Sequence, residues 1–259
     1  MNTLIFEKQN GIANITLNRP KAFNSFNKDL ALSLQAALDD CAADQTIRVV
    51  VLTGSGKAFC AGQDLVEVTT PELMPGFKTL LEEHYRPIVL KIRNLEKPVI
   101  AAVNGVAAGA GANIALACDI VVASEKASFI QAFSGIGLIP DSGGTFFLPR
   151  LVGFQKAVAI SMLGDKISAE EAEQMGMIYK VFPAAEFEEQ VQKLSSRLAQ
   201  MPTKGLALTK QAFNSTMTNS LEEQLAVENE AQIAASLTDD YQEGVQAFLE
   251  KRKPVFKGR

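Results

Sequence analysis

Two glycine-rich turns, one acidic turn and a single histidine hold most of the residues here whose types suit chemistry. The first turn lies in Lys57-Ala-Phe-Cys-Ala-Gly-Gln-Asp-Leu65. Apolar side chains pin its start, Gly62 permits a bend, and Gln63 to Leu65 open a helix. The second lies between Pro98 and Asp119. That stretch reads as a buried strand from Val99 to Val103, a tight turn of small residues, and a short helix from Ala110. Gly109 and Gly111 bracket Ala110, so nothing bulky covers its backbone. A helix start leaves N–H groups unpaired, and the helix dipole adds positive charge there. Such an N–H can hold a developing oxyanion. The same run of small residues also suits a close strand–helix packing contact, and the residues alone leave both readings open.

The acidic turn is Gly135-Ile-Gly-Leu-Ile-Pro-Asp-Ser-Gly-Gly-Thr145, a glycine-punctuated loop feeding a helix near Gly143 to Leu151. By itself, Asp141 before Ser-Gly-Gly reads as a helix N-cap. His84 is the only histidine. A Ser-His-Asp triad or a multi-histidine metal site would have to use it, and no zinc-type motif surrounds it, so it reads as a helix-surface residue. Cys41, Cys60 and Cys118 are odd in number and lack metal-ligand spacing, as expected of reduced thiols in a cytoplasmic protein.

The elements that must position these groups follow from periodicity. Residues 3–7 and 12–17 are β-rich and flank Gln9-Asn-Gly11, a hairpin signal. Leu30, Leu34, Leu38 and Cys41 share one helical face, with Asn27 as cap. Residues 47–52 read as a strand, and 66–76 as a mobile loop. Phe77, Leu80, Leu81, Ile88, Ile92 and Leu95 mark a long amphipathic helix disturbed at Pro87. Short strands are expected at 120–123, 128–131 and 178–182, with helices near 154–163 and 168–175. Ser168 and Glu171 fit a capping box. From Ala184 onward four helices are expected, near 184–200, 203–217, 220–236 and 239–251. The composition shifts near Pro183, which predicts an α/β core over 1–183 and a helical region over 184–259.

A chain of 259 residues can bury a sizeable core. Its net charge of −4 offers no basic field for nucleic acid or anionic lipid. The N-terminus enters Thr3-Leu-Ile-Phe-Glu7 without a basic, apolar leader. Residues 98–123 are apolar, but Asn104, Asn113, Asp119 and interspersed glycines argue against a lipid-facing span.

The two glycine turns, Ala58-Phe-Cys-Ala-Gly-Gln-Asp-Leu65 and Asn104-Gly-Val-Ala-Ala-Gly-Ala-Gly-Ala112, occur together and in order. In this the chain resembles the crotonase, or enoyl-CoA hydratase/isomerase, superfamily. Leu17-Asn-Arg-Pro-Lys-Ala-Phe-Asn24, Ile139-Pro-Asp-Ser-Gly-Gly-Thr145 and Phe248-Leu-Glu-Lys-Arg-Lys-Pro-Val-Phe-Lys-Gly258 extend the resemblance over the whole chain. It implies an α/β fold built as a spiral of ββα turns, with a C-terminal helical region that trimerises, as a homotrimer or a dimer of trimers. It implies an acyl-CoA thioester as substrate, with CoA belonging to the substrate and no separate cofactor or metal. The thioester oxygen would sit between the N–H groups of Gln63 and Ala110. Arg19, Lys21 and Ala22 would lie along the CoA groove, with Ala61, Gly62, Asp64, Leu65 and Gly109 lining the site. The basic end, with Arg252, Lys253 and Phe256, would reach CoA, that of a neighbouring subunit included; a solvated tail is the competing reading.

Hydratases of this family activate water with two glutamates. Registering the flanking motifs puts Asn113 and Phe133 at those places, and neither can act as a carboxylate base. The same register puts Asp141 where other branches carry a working aspartate. Phe129-Ile-Gln-Ala-Phe-Ser134 and the stretch from Gly137 to Arg150 resemble the branch that isomerises 1,2-epoxyphenylacetyl-CoA in phenylacetate degradation and shifts delta-3 double bonds to delta-2. The resemblance thus implies an acyl-CoA isomerase with Asp141 as base, and Phe133 and Phe129 either keeping the pocket dry or simply packing the core. The competing expectations are an enoyl-CoA hydratase with Glu67 or His84 activating water, and a non-catalytic acyl-CoA binding protein.

Overall fold

The computed structural model describes residues 2–259. The chain starts with the hairpin β1 (Leu4–Gln9) and β2 (Ile12–Leu17). It turns at Asn10-Gly11, where both residues have positive φ, the two-residue geometry that matches strand twist. Helix α1 (Lys28–Ala43) follows, its first turn capped by the Asn27 side chain accepting from Leu30 N–H. Three strand pairs then repeat one pattern: β3 (Val49–Gly54) with β4 (Ala58–Cys60), β5 (Val99–Val103) with β6 (Val106–Ala108), and β7 (Ile120–Ser124) with β8 (Ser128–Ile130). The first member of each pair joins a six-stranded sheet of order β1-β2-β3-β5-β7-β10, where β10 is Lys180–Phe182. The second member joins a four-stranded sheet of order β4-β6-β8-β9, where β9 is Lys166–Ser168. This is the expected spiral of ββα turns.

The strands of the larger sheet are continuous apolar runs because both faces are covered. Val50, Leu52, Val99, Ala101 and Val103 face the main core, which also takes in the small sheet and α1. Val49, Val51, Ile100 and Ala102 face the other way, onto Phe187 and Leu198 of α9 (Phe187–Ala199). Strands end at Phe182, where composition placed the boundary, and α10 (Thr203–Ser215), α11 (Leu221–Ser236) and α12 (Asp239–Leu249) complete the chain. Helix α9 nevertheless seals the sheet and packs as part of the core.

Two local expectations are corrected. Residues 66–69 are not loop: α2 (Leu65–Thr69) starts there because the Asp64 carboxylate caps it, accepting from Val66 N–H at 2.9 Å. His84 is not on a helix surface; it is 3% exposed. The expected long helix runs as α3 (Phe77–Thr79), a π-helical segment (Leu80–Tyr85) and α4 (Arg86–Asn94). Arg86 N–H reaches back five residues to Leu81 C=O. Pro87 follows without an N–H, and the freed Glu83 carbonyl accepts instead from the Gln35 side chain of α1 at 2.7 Å. The wider π turn reduces the angle between neighbours, so His84 and Tyr85 are both buried. Residues 98–123 form β5, β6, α5 (Ala110–Leu116) and β7. Among the described residues, no helix is long and apolar enough to cross a membrane.

Candidate active site

The small sheet brings the site together. Strands β4, β6 and β8 are neighbours and parallel, so the segments leaving them emerge at one end. Gln63 follows β4, Ala110 follows β6 and Phe133 follows β8. A Cβ built on Gly62 would lie 3.0 Å from Ala108 O and 3.5 Å from Ala110 N, which measures how closely the two glycine turns abut.

Both expected oxyanion donors are free. A parallel bridge joins Phe26 to Gln63: Phe26 N–H donates to Gly62 O at 2.7 Å, and Asp64 N–H donates to Phe26 O at 2.8 Å. In such a bridge the N–H of the middle residue points away from its partner strand. The Gln63 N–H therefore faces away from Phe26, and it finds no acceptor among the described residues. Ala110 is the first residue of α5, where an N–H has no intrahelical partner. Gly109 precedes it at φ 52°, ψ −128°, a conformation L side chains rarely adopt, and this turn sets the direction of the Ala110 N–H.

Asp141 is half-buried beside these turns. Its own carbonyl accepts from Gly144 N–H at 2.8 Å and from the Asn113 side chain at 2.8 Å. Asn113 lies three residues after Ala110 on α5, so the Asp141 turn is tied about 5 Å along the helix from the second donor. The Asp141 carboxylate does not cap α6 (Gly144–Val152), which has no side-chain cap, so the N-cap reading is corrected. One carboxylate oxygen, Oδ1, is buried without a hydrogen-bond partner. Burial pushes the Asp141 carboxyl up to about 6, and the neighbouring Ser142 offsets this only in part. Across the site, burial also raises the Tyr85 hydroxyl well above its ordinary range, and the Asp141 charge adds to the rise. Tyr85, which binds the Gln63 side chain, lines one cleft with Ser142, the residue after Asp141.

Asn113 and Phe133, expected from the resemblance at the places of the hydratase glutamates, both have other work. Asn113 is fully buried; it donates to Asp141 O and accepts from Gln131 Nε2 at 2.8 Å. Its amide is a clamp on the aspartate turn. The clamp needs Gly144, where a Cβ would sit 2.3 Å from Asn113 Nδ2. The Phe133 ring, 6% exposed, lies over Gly109, 3.7 Å from where a Cβ would be, and walls the second turn with carbon.

The remaining expected groove residues fall along one edge. Lys21 and Ala22 lie in a 3-10 turn, Pro20–Ala22, whose next residue, Phe23, accepts from Ala61 N–H at 3.0 Å. Lys21, Ala61 and Leu65 are exposed there. Arg19 is not free to line the groove: its guanidinium donates to Asp64 Oδ2 and to Ser25 O, both at 2.6 Å. The Asp64 carboxylate, shared between Arg19 and the α2 cap, shapes this loop. Glu67 is engaged as well, accepting from Lys28 N–H and from Gln63 Nε2, both at 2.8 Å.

The C-terminal group is not brought to these turns. Arg252 pairs with Glu243 through both terminal nitrogens, at 2.6 and 2.9 Å, and with Glu250 at 2.6 Å. Phe256 packs near Gly244, and its carbonyl accepts from Arg48, the residue before β3. The tail is anchored further by Lys257 and Gly258 N–H groups donating to Asp240. The tail is thus anchored to its own chain through Glu243, Asp240 and Arg48, while Lys253 remains exposed.

The sequence reading missed Tyr85 and Gln131. Tyr85 was obscured by the π segment, which shifts the phase of the apolar stripe. Gln131 gave no local signal, since its partner Asn113 lies 18 residues earlier.

The model of the family described as "Enoyl-CoA hydratase/isomerase" matches residues 7–259. A curated relative in Escherichia coli (strain K12), named 1,2-epoxyphenylacetyl-CoA isomerase, is 46% identical over 100% of each chain. Another in Rhodobacter capsulatus, named probable enoyl-CoA hydratase, is 45% identical over 99% of this chain and 98% of its own length. A crystal structure of an enoyl-CoA hydratase from Bacillus anthracis superposes with a TM-score of 0.92 at 34% identity, covering 99% of this chain and 100% of that one. With the paired glycine turns at the end of a small parallel sheet, these likenesses show that the chain belongs to the enoyl-CoA hydratase/isomerase family and has the crotonase fold.

Proposed function

We propose that this protein isomerises acyl-CoA thioesters, with Asp141 as the only base and the N–H groups of Gln63 and Ala110 as the oxyanion donors. Removing a proton from C2 turns the thioester carbonyl into an enolate, and two fixed donors stabilise that charge more than the neutral ground state. Asp141 takes the proton and returns it further along the conjugated system. No water is consumed, no atom is gained or lost, and no cofactor is needed beyond the CoA of the substrate. A 3-enoyl-CoA becomes a 2-enoyl-CoA this way. A 1,2-epoxyphenylacetyl-CoA passes its C2 proton to the opened ring and becomes the oxepin.

The observation that carries this reading is the Asp141 carboxylate, with one oxygen buried and unpartnered, beside Asn113 and Phe133, neither of which can act as a carboxylate base. The two other candidates for activating water argue the same way: Glu67 accepts two N–H groups, and His84 is buried in the π segment. The name of the Escherichia coli relative supports the isomerase reading. The name of the Rhodobacter capsulatus relative favours hydration as the second reading.

Lys21, Ala22, Ala61, Gly62, Asp64, Leu65 and Gly109 form the proposed CoA and thioester groove. Lys253, which has no ion pair among the described residues, is the one member of the C-terminal trio left to reach CoA, across a subunit boundary. Exposed apolar side chains on α7 (Phe154–Leu163) and the last helices, among them Phe154, Met162, Phe213 and Phe248, support assembly as a homotrimer or a dimer of trimers. A cytoplasmic location suits three free, buried cysteines.

The test is a panel of 3-enoyl-CoA, 1,2-epoxyphenylacetyl-CoA and crotonyl-CoA. Isomerisation of either of the first two, with crotonyl-CoA hydration at least 100-fold slower, is the expected result. Hydration at a comparable rate favours the second reading, and binding without turnover of any member favours a non-catalytic acyl-CoA binding protein.

A further inference from the structure

The side chain of Gln63 is strung between two groups that the proposed reaction does not use. Its Nε2 donates to Glu67 Oε2 at 2.8 Å, and its Oε1 accepts from the Tyr85 hydroxyl at 2.5 Å. The chemistry fixes the amide orientation: a carboxylate only accepts, so the nitrogen must face Glu67, and the oxygen is left for a hydroxyl that can donate. Both anchors are themselves held. The other Glu67 oxygen accepts from Lys28 N–H at the start of α1. The Tyr85 ring is 1% exposed and packs edge-on against Phe26, with centroids 5.8 Å apart and planes at 90°. Phe26 is also the bridge partner of the Gln63 backbone. Gln35 ties the backbone before Tyr85 to α1 through Glu83 O and His84 O, at 2.7 and 3.1 Å.

We propose that Tyr85 and Glu67 are positioning residues that hold the Gln63 peptide, and so the first oxyanion N–H, by gripping its side chain at both ends. The inference rests on the oxyanion reading of Gln63 given above. The Gln63 backbone is bound on its Phe26 side only, through the flanking residues. Its plane can still rock about that hinge, and the side-chain strut is what stops it. A donor must stay aimed at the enolate oxygen, because a misaligned hydrogen bond weakens steeply. The strut also links the hole to the helical stretch 77–94 that walls the aspartate turn: a cleft there is lined by Leu81, Tyr85, Val89, Ser142 and Gly143.

The experiment uses the full chain, two variants and their combination. Tyr85→Phe removes the hydroxyl and keeps the ring against Phe26. Gln63→Ala keeps the backbone N–H and removes the strut. Each is expected to lower kcat for 3-enoyl-CoA isomerisation about tenfold with KM unchanged, and the double variant to lose no more than either alone. The second readout is the thioester C=O stretch of a bound, unreactive saturated acyl-CoA. It should lie below its solution frequency in the unaltered protein and return part of the way in each variant. Unchanged kcat and stretch in Tyr85→Phe, or losses that multiply in the double variant, would overturn the strut. If Tyr85→Phe does not fold, Gln63→Ala decides alone, by the same two readouts. An unaltered protein that leaves the stretch at its solution value would instead remove the oxyanion reading itself.

Discussion

Replacing Asp141 by asparagine should stabilise the protein, and the gain should depend on pH. Burial raises this carboxyl from 3.8 to about 6. Between those values the native chain holds a proton that the unfolded chain has lost, so stability falls as pH rises through that window. Above about pH 6 the cost of ionising a buried carboxylate is fully present, and below about pH 4 it is absent. At about 1.4 kcal/mol per tenfold change in proton affinity, the rise corresponds to about 3 kcal/mol. Asparagine has nearly the same shape and does not titrate. Any packing penalty it brings is the same at every pH, so the change between pH 4 and pH 8 isolates the charge. The assay is urea unfolding of both proteins at matched concentration from pH 4 to pH 8, comparing midpoints at equal slope. Asp141→Asn should gain on the unaltered protein by up to about 3 kcal/mol between pH 4 and pH 7, then level off. A stability difference constant over this range would refute the claim that the native fold strains this carboxylate. Catalysis should show the same group: as the base must be ionised, kcat/KM should rise with pH and level off above about 6.

Other perturbations follow from the same geometry. Asn113→Ala should cost about 1–3 kcal/mol by leaving the Gln131 amide and part of the Asp141 carbonyl unsatisfied, and should slow isomerisation with little change in CoA affinity; melting and steady-state kinetics together check it. Gly144→Ala should act on the same clamp from the other side, since its Cβ would meet Asn113 Nδ2 at 2.3 Å, and both variants should fail in the same kinetic term. Ala110→Pro deletes one oxyanion donor at the first helical position, where proline is tolerated; kcat should fall about 10²–10³-fold with the fold retained by circular dichroism. Sedimentation should report a trimer or its dimer, and Phe248→Asp should leave the monomer's secondary structure intact, because Phe248 is 82% exposed in the single chain.

Where a signal is local, the sequence displays it. The Asn10-Gly11 turn, the Asn27 cap and the Ser168–Glu171 capping box each depend on residues within a few positions of one another, and each is present as expected. The four C-terminal helices are equally legible, since each carries a cap or an apolar stripe. The second sheet was harder. Its strands are three residues long, too short for alternation to register; β9, which pairs antiparallel with β8, was not anticipated, and only Ser168 was singled out there, as a helix cap. In the site, the two unpaired backbone N–H groups of Gln63 and Ala110 were legible because glycine marks the turns that free them. The clamp on Asp141 was not, because Asn113 and Asp141 are 28 residues apart and their contact is made by tertiary packing. Tyr85 was missed and His84 misplaced for another reason: a π segment before Pro87 breaks the 3.6-residue period on which the helix reading relied.

The central claim is that one acidic side chain moves a proton for an enolate held by two main-chain amides. Its most direct test is Asp141→Asn assayed on 3-enoyl-CoA, with acyl-CoA affinity measured on the same sample by calorimetry. Loss of turnover by at least about 10³-fold with affinity within a few-fold of the unaltered protein is the predicted result. Turnover that persists in this variant would contradict the claim, whatever the affinity.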